Sequence, residues 1–174
     1  ISNYDITPKN PEFISVTYIK NDTIYIINDN WKNVSYIYKN NMHTYDALFA
    51  GEYGIRDIYP YKHRDSSGTT LLVSNNKGLF AVNTGTGEIT KFLKSGDFQV
   101  SCIKEDNDNN IWLGSNGRIY RVRDYNAELV LTLDDKISAG VNQMLIDSRG
   151  FVWFHPKDKG LFIYKNDSII DVGA

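Results

Sequence analysis

Two stretches of this 174-residue sequence repeat one another, and that repetition limits the folds open to it more than any other feature. Residues 100–114 (VSCIKEDNDNNIWLG) and residues 141–154 (VNQMLIDSRGFVWF) each run from an apolar strand through a polar turn to a second strand centred on tryptophan. A third strand follows each, at residues 117–121 and 160–164. Trp112 and Trp153 stand 41 residues apart, and Gly117 and Gly160 stand 43 apart. The pattern extends backwards. Residues 54–58, 70–73 and 78–82 take the same three roles, with Leu72 placed 40 residues before Trp112. A more degenerate copy occupies residues 13–16, 23–26 and 34–38. Fourth strands fill the gaps at 89–92, 129–132 and 169–172, the first of them after a Gly-rich hairpin turn at 83–88.

Four short antiparallel strands per unit of about 40–45 residues is the arithmetic of a β-propeller blade. Tyr, Ile, Val and Thr pack well on a pleated surface, and 12 Tyr with 13% aromatic residues suit an all-β chain. No segment longer than ten residues shows an apolar period of 3.6, which argues against a helical solenoid. A plain β-sandwich would share the short strands but not a tryptophan at near-constant spacing. The expected fold is therefore an all-β propeller fragment of about four four-stranded antiparallel blades. The blades fall at approximately 8–46, 47–93, 94–133 and 134–174, and residues 1–7 resemble the outer strand of a preceding blade. An open arc would expose blade faces, so the chain reads as part of a larger propeller.

A blade cannot bury both faces alone and must share its apolar layers with its neighbours. Trp112 and Trp153 are then expected between blades. Gly78, Gly117 and Gly160 are expected to open the third strands, where a tight turn requires positive φ.

The chemistry usually sought in a sequence is mostly missing. Net charge is −2 with scattered basic residues, so there is no footprint for nucleic acid. Cys102 is the single cysteine, which excludes an intrachain disulfide. The longest apolar runs are too short to span a bilayer. His43, His63 and His155 lack the spacing of metal ligands. Residues 106–110 (DNDNN) resemble half a calcium loop, but Ile111 stands where such a loop needs glycine and Gly117 where it needs a bidentate acid. They read instead as a turn in which Asp and Asn cap their own backbone. Gly85 and Gly87 lack the third glycine and following helix of a dinucleotide site. No catalytic constellation, metal or cofactor is expected in this segment.

In a propeller, the approaches to the first strands and the turns between second and third strands share one face. Flat rings on that face would stack on sugar rings, and polar side chains would bind hydroxyls. The candidate ligand contacts are Trp31, Tyr53, Lys77, Asn116, His155 and Lys157. The segment around His155 departs from the repeat, a sign of a position given over to function.

The run of Val100, Ile103, Asp106, Trp112, Gly114, Asn116, Gly117 and Ile119 resembles the two-component regulator propeller repeat, written V-x-x-I-x-x-D, then G-x-I/L-W-I/L-G-T, then N-G-I/L. The copy at 141–164 is similar but carries Phe154 and His155 where Gly-Thr is usual, and the copy at 55–82 has Leu72 in place of tryptophan. The resemblance implies a seven-bladed propeller in the periplasmic sensor region of a hybrid two-component histidine kinase from a glycan-degrading gut bacterium. It implies a parent anchored in the inner membrane and dimeric as a receptor, with further blades and downstream domains as partners of this segment. The expected function is that of an extracytoplasmic ligand-sensing or scaffold segment responding to an oligosaccharide. The alternatives are a protein-interaction propeller with no small ligand, or a propeller-scaffold enzyme acting on glycans.

Overall fold

A computed structural model describes residues 15–20, 23–28, 33–38, 41–45, 54–61, 70–94, 98–133, 140–156 and 159–173. They form four four-stranded sheets with purely antiparallel, sequential pairing. Blade 1 contains β1 (Ser15–Lys20), β2 (Thr23–Asn28), β3 (Asn33–Tyr38) and β4 (Asn41–Tyr45). Blade 2 contains β5 (Asp57–Tyr61), β6 (Thr70–Asn75), β7 (Gly78–Asn83) and β8 (Ile89–Lys91). Blade 3 contains β9 (Cys102–Glu105), β10 (Ile111–Ser115), β11 (Arg118–Arg123) and β12 (Asn126–Thr132). Blade 4 contains β13 (Val141–Ile146), β14 (Val152–Pro156), β15 (Phe162–Lys165) and β16 (Ser168–Asp171). The first strands β1, β5, β9 and β13 lie side by side in that order, so they line the inside of the arc. This is the all-β propeller fragment expected from the repeat.

Each apolar layer belongs to two sheets. Tyr25, Ile27 and Val34 of blade 1 pack against Ile58, Leu71, Val73 and Val82 of blade 2. The other face of blade 2, with Tyr59, Leu72 and Leu79, meets Ile103, Ile111, Leu113 and Tyr120 of blade 3. The other face of blade 3, with Cys102, Trp112 and Ile119, meets Met144, Val152, Phe154 and Phe162 of blade 4. Strand alternation explains the sharing: successive side chains of β10 point to opposite sheets, Leu113 one way and Trp112 the other. Trp112 lies between blades as expected, tilted against Tyr164 at 6.5 Å. Trp153 occupies the same position in blade 4 but is only half-buried, because no described sheet covers that face.

Where β10 meets blade 4 there is no room for a side chain. A Cβ on Gly114 would lie 2.8 Å from the Val141 carbonyl oxygen and would overlap the Cys102 sulfur. The third-strand glycines behave as expected, with φ of 140° at Gly78, 60° at Gly117 and 91° at Gly160.

Several strands differ from the sequence expectation. β1 begins at Ser15 and runs to Lys20, further along than residues 13–16. β5 runs on from Asp57 to Tyr61 despite Pro60. A first strand is a sheet edge, so its proline costs no ladder hydrogen bond. β12 begins at Asn126, three residues before the predicted strand, because Asp124 and Tyr125 take positive φ (48° and 65°) and make the hairpin tight. Residues 1–7 lie outside the described residues.

Candidate ligand-binding site

The turns between second and third strands touch the approach to the next blade. The Val100 amide donates to the Asn75 carbonyl at 3.2 Å. Asn116 forms an isolated bridge with Gly140, just ahead of β13. Lys77, Asn116 and His155 therefore lie at one end of successive blades, and all three are exposed. The Lys77 amide is fixed by the Asn75 side chain at 2.7 Å, and the Asn116 amide group reaches Gln99 at 3.5 Å. Trp31, Tyr53 and Lys157 lie outside the described residues.

Of the three placed candidates, His155 borders a cavity among the described residues. That cavity, about 650 Å³, opens on the inside of the arc, where β5, β9 and β13 meet. Its polar wall is Arg56, Asp57, Ser101, Lys104, Asn142 and Gln143. It continues past His155 onto the uncovered face of blade 4, where Leu145, Trp153 and Leu161 border it.

Local backbone structure explains how these residues arrive. The pairing of β13 with β14 shifts between Val141 and Gln143, an irregularity that leaves Asn142 and Gln143 both exposed beside the buried Val141. Bulges of this kind redirect side chains that a regular strand would send to opposite faces. The strand register also assigns His155. Trp112 faces Lys104 across the ladder and Trp153 faces Leu145, so the two tryptophans are equivalent. His155 then stands at the position of Gly114, and Pro156 at that of Ser115. The departure from the repeat is an exposed imidazole where blade 3 allows no side chain.

Two acids of the cavity wall have fixed partners. One Asp57 oxygen accepts from its neighbour Ile58 N at 2.9 Å and the other from Ile103 N of blade 3 at 2.8 Å, which ties two inner strands together. Burial nevertheless raises the Asp57 pKa, against the opposing pull of Lys104 and the two amides. Cys102 directs its thiol to the Val141 carbonyl at 3.4 Å. Burial, with the nearby Asp57 charge, pushes that thiol up to about 12, so it is no nucleophile at neutral pH. Ser101 is different. It is only 9% exposed, and its hydroxyl has no hydrogen-bond partner.

Sequence reasoning looked to the turns and missed Arg56, Ser101, Lys104, Asn142 and Gln143. The available signal was polar residues interrupting the apolar first strand at equivalent places in blades 2, 3 and 4.

Residues 94–117 match the family described as "Two component regulator propeller". The chain carries a two component regulator propeller repeat. No curated protein matches the chain in sequence. Among solved structures, the repeat-bearing chain is similar to the extracellular domain of a protein from B. thetaiotaomicron described as a one component system. The two share 16% identity with a TM-score of 0.68, over 95% of this chain and 23% of that one. The extracellular domain of a B. thetaiotaomicron protein described as a hybrid two component system aligns at 15% identity and a TM-score of 0.62, over 99% of this chain and 24% of that one. Catalytically inactive virginiamycin B lyase from Staphylococcus aureus, solved with quinupristin, aligns at 16% identity and 0.68, over 90% of this chain and 53% of that one. At these identities the likeness is one of fold, and the chain spans about a quarter of the first two structures and about half of the third.

Proposed function

We propose that this chain is an extracytoplasmic sensing segment of a two-component signalling receptor, and that its ligand is an oligosaccharide. The regulator-propeller match at residues 94–117 carries the reading. The propeller fold of extracellular domains from one- and two-component systems supports it. On this reading the parent is a hybrid histidine kinase anchored in the inner membrane, dimeric as a receptor, with the propeller in the periplasm. Ligand bound on the turn face or against the inner strands would favour one arrangement of the receptor chains over another, and kinase output would follow that population. Trp31, Tyr53, Lys77, Asn116, His155 and Lys157 remain the proposed contacts on the turn face.

Two titratable groups of the cavity are not free to act in catalysis, which supports the binding reading. Asp57 is engaged by two backbone amides and Cys102 is held as a thiol. The enzyme alternative draws on the fold shared with virginiamycin B lyase and would need His155 to act as a base. The test is a transcriptional reporter driven by the full receptor and challenged with a panel of oligosaccharides. One class should induce it, and Asn116→Ala or His155→Ala should shift the half-maximal dose by about tenfold. A receptor silent to every saccharide would remove the sensing reading, and turnover of a glycan by the purified chain, abolished by His155→Ala, would replace it with the enzyme one.

A further inference from the structure

The inner wall of the arc is built for a ligand of particular charge. Arg56 and Lys104 bring two cations to a cavity whose carboxylate, Asp57, is already bonded through both oxygens to backbone amides. Lys104 lies close enough to act on that carboxylate electrostatically, yet no ion pair joins them. The Arg56 Nε donates to the Asn76 side chain at 3.1 Å, which fixes the guanidinium at the cavity's edge. Asn142 and Gln143 add two exposed amides through the β13 irregularity. Ser101 adds a buried hydroxyl with nothing to bond: the residue borders the cavity, and its oxygen is closed to solvent. An unmade hydrogen bond on a buried hydroxyl is costly, and such groups call for a reason. A turn of the Ser101 side chain toward the cavity would let a ligand oxygen supply the missing partner.

We propose that the cavity between β5, β9 and β13 binds an acidic saccharide, with its carboxylate held by Lys104 and Arg56 and its hydroxyls by Ser101, Asn142 and Gln143. The inference rests on the sensing reading above and narrows its ligand from oligosaccharides in general to uronate-bearing ones. It also moves the contact from the turn face to the inner strands. A carboxylate between two cations gains charge-assisted hydrogen bonds, and the amides read hydroxyl positions without adding charge. His155 closes the side of the cavity nearest the open face of blade 4.

Calorimetric titration of the purified chain with digalacturonate and with the neutral disaccharide digalactose tests this. Digalacturonate should bind at least tenfold more tightly than digalactose. Lys104→Met should weaken it by tenfold or more, Arg56→Gln by several-fold, and Lys104→Arg should recover most of the loss. Ser101→Ala is the cleanest probe, because removing an unpartnered hydroxyl leaves the fold as stable or more stable, while binding should fall several-fold. Circular dichroism melts of each variant separate lost binding from lost folding. Equal affinity for the two disaccharides, or affinity unmoved by Lys104→Met and Ser101→Ala in folded protein, overturns the acidic site. In that event digalactose binding that is sensitive to Asn116→Ala leaves the broader sensing reading standing. No saccharide binding at all overturns the acidic site, and the receptor reporter then decides the sensing reading separately.

Discussion

The indole N–H of Trp112 donates to Asp106 Oδ2 at 2.8 Å, and in the next blade Trp153 makes the same bond to Asp147 at 3.0 Å. Each carboxylate does two jobs. Its Oδ1 accepts the amides two and four residues on, Asp108 and Asn110 in one case and Arg149 and Phe151 in the other, which closes the turn between first and second strands. Its Oδ2 holds the indole that packs the blade face. The repeat therefore keeps Asp and Trp six residues apart because one side chain orients the other. Arg121 lies over the Trp112 ring at 5.6 Å and completes the enclosure.

The two tryptophans should differ in worth. Trp112 is 6% exposed within a two-blade core, so Trp112→Ala should cost about 3–5 kcal/mol. Trp153 keeps its aspartate bond but packs on one side only, and Trp153→Ala should cost about half as much. Urea unfolding midpoints of the two variants give the comparison. Equal losses would mean that a second sheet does not matter to the tryptophan, contrary to the shared-layer account.

The aspartates also predict acid sensitivity. For Asp106, burial raises the pKa, but the bonds from Trp112, Asn110 and two backbone amides outweigh it and hold the carboxyl below its usual value. For Asp147, the Arg149 guanidinium leads, at 2.6 Å, with Trp153 and two amides adding to it, and the carboxyl sits well below the usual range. Carboxyls depressed in the folded state contribute stability above the unfolded pKa of about 3.9, and that contribution disappears as pH falls through the folded values. Asp57 acts in the opposite sense. Its raised pKa means the folded chain holds the proton longer, so its contribution declines as pH rises from about 4 through the folded value. Urea midpoints measured from pH 2.5 to 8 should fall steeply below pH 4. The double variant Asp106→Asn, Asp147→Asn should flatten that acid limb, and Asp57→Asn should flatten the decline on the other side.

Gly114→Ala tests the closeness of blades 3 and 4. Its Cβ meets the Cys102 sulfur and lies 2.8 Å from the Val141 carbonyl oxygen. Overpacking of this kind costs about 1–3 kcal/mol, a fall of roughly 3–10 °C in Tm for a chain of this size. Adding Cys102→Ala should recover only part of the loss, since the backbone carbonyl remains in place. Full recovery would show that the thiol alone sets the spacing.

Blades 3 and 4 were legible because tryptophan and a third-strand glycine mark them at constant spacing. The outer strand β4 was not foreseen. Asn41, His43 and Thr44 are exposed and carry no apolar alternation to read. Pro60 hid the far end of β5, since proline is tolerated there only because first strands are sheet edges. The cavity wall was hidden for a different reason. Blades 2, 3 and 4 each give it only two or three polar residues in or beside otherwise apolar strands, and the β13 irregularity that exposes Asn142 and Gln143 together has no local sequence signal. His155 was readable as a departure from the repeat. Its equivalence to Gly114, rather than to the residue after it, follows from counting two residues on from each tryptophan, and the strand register agrees.

The uncovered face of blade 4 predicts how the isolated chain behaves in solution. Leu145, Trp153, Ile163 and Ile170 stand directly opposite one another across β13, β14, β15 and β16, forming one row on a single face. Leu145 is 60% exposed and Ile170 47% exposed. The equivalent row in blade 3 is Lys104, Trp112, Arg121 and Glu128, three of them charged. Blade 4 thus offers the more apolar surface and leaves it bare, a combination that drives association. Burying such side chains contributes about 1.5–3 kcal/mol each. Sedimentation velocity of the purified chain should show concentration-dependent dimers in the micromolar range. Leu145→Glu with Ile170→Glu should return it to monomer without loss of β-sheet circular dichroism. A chain that stays monomeric at 100-fold higher concentration would show that the face is satisfied within the molecule.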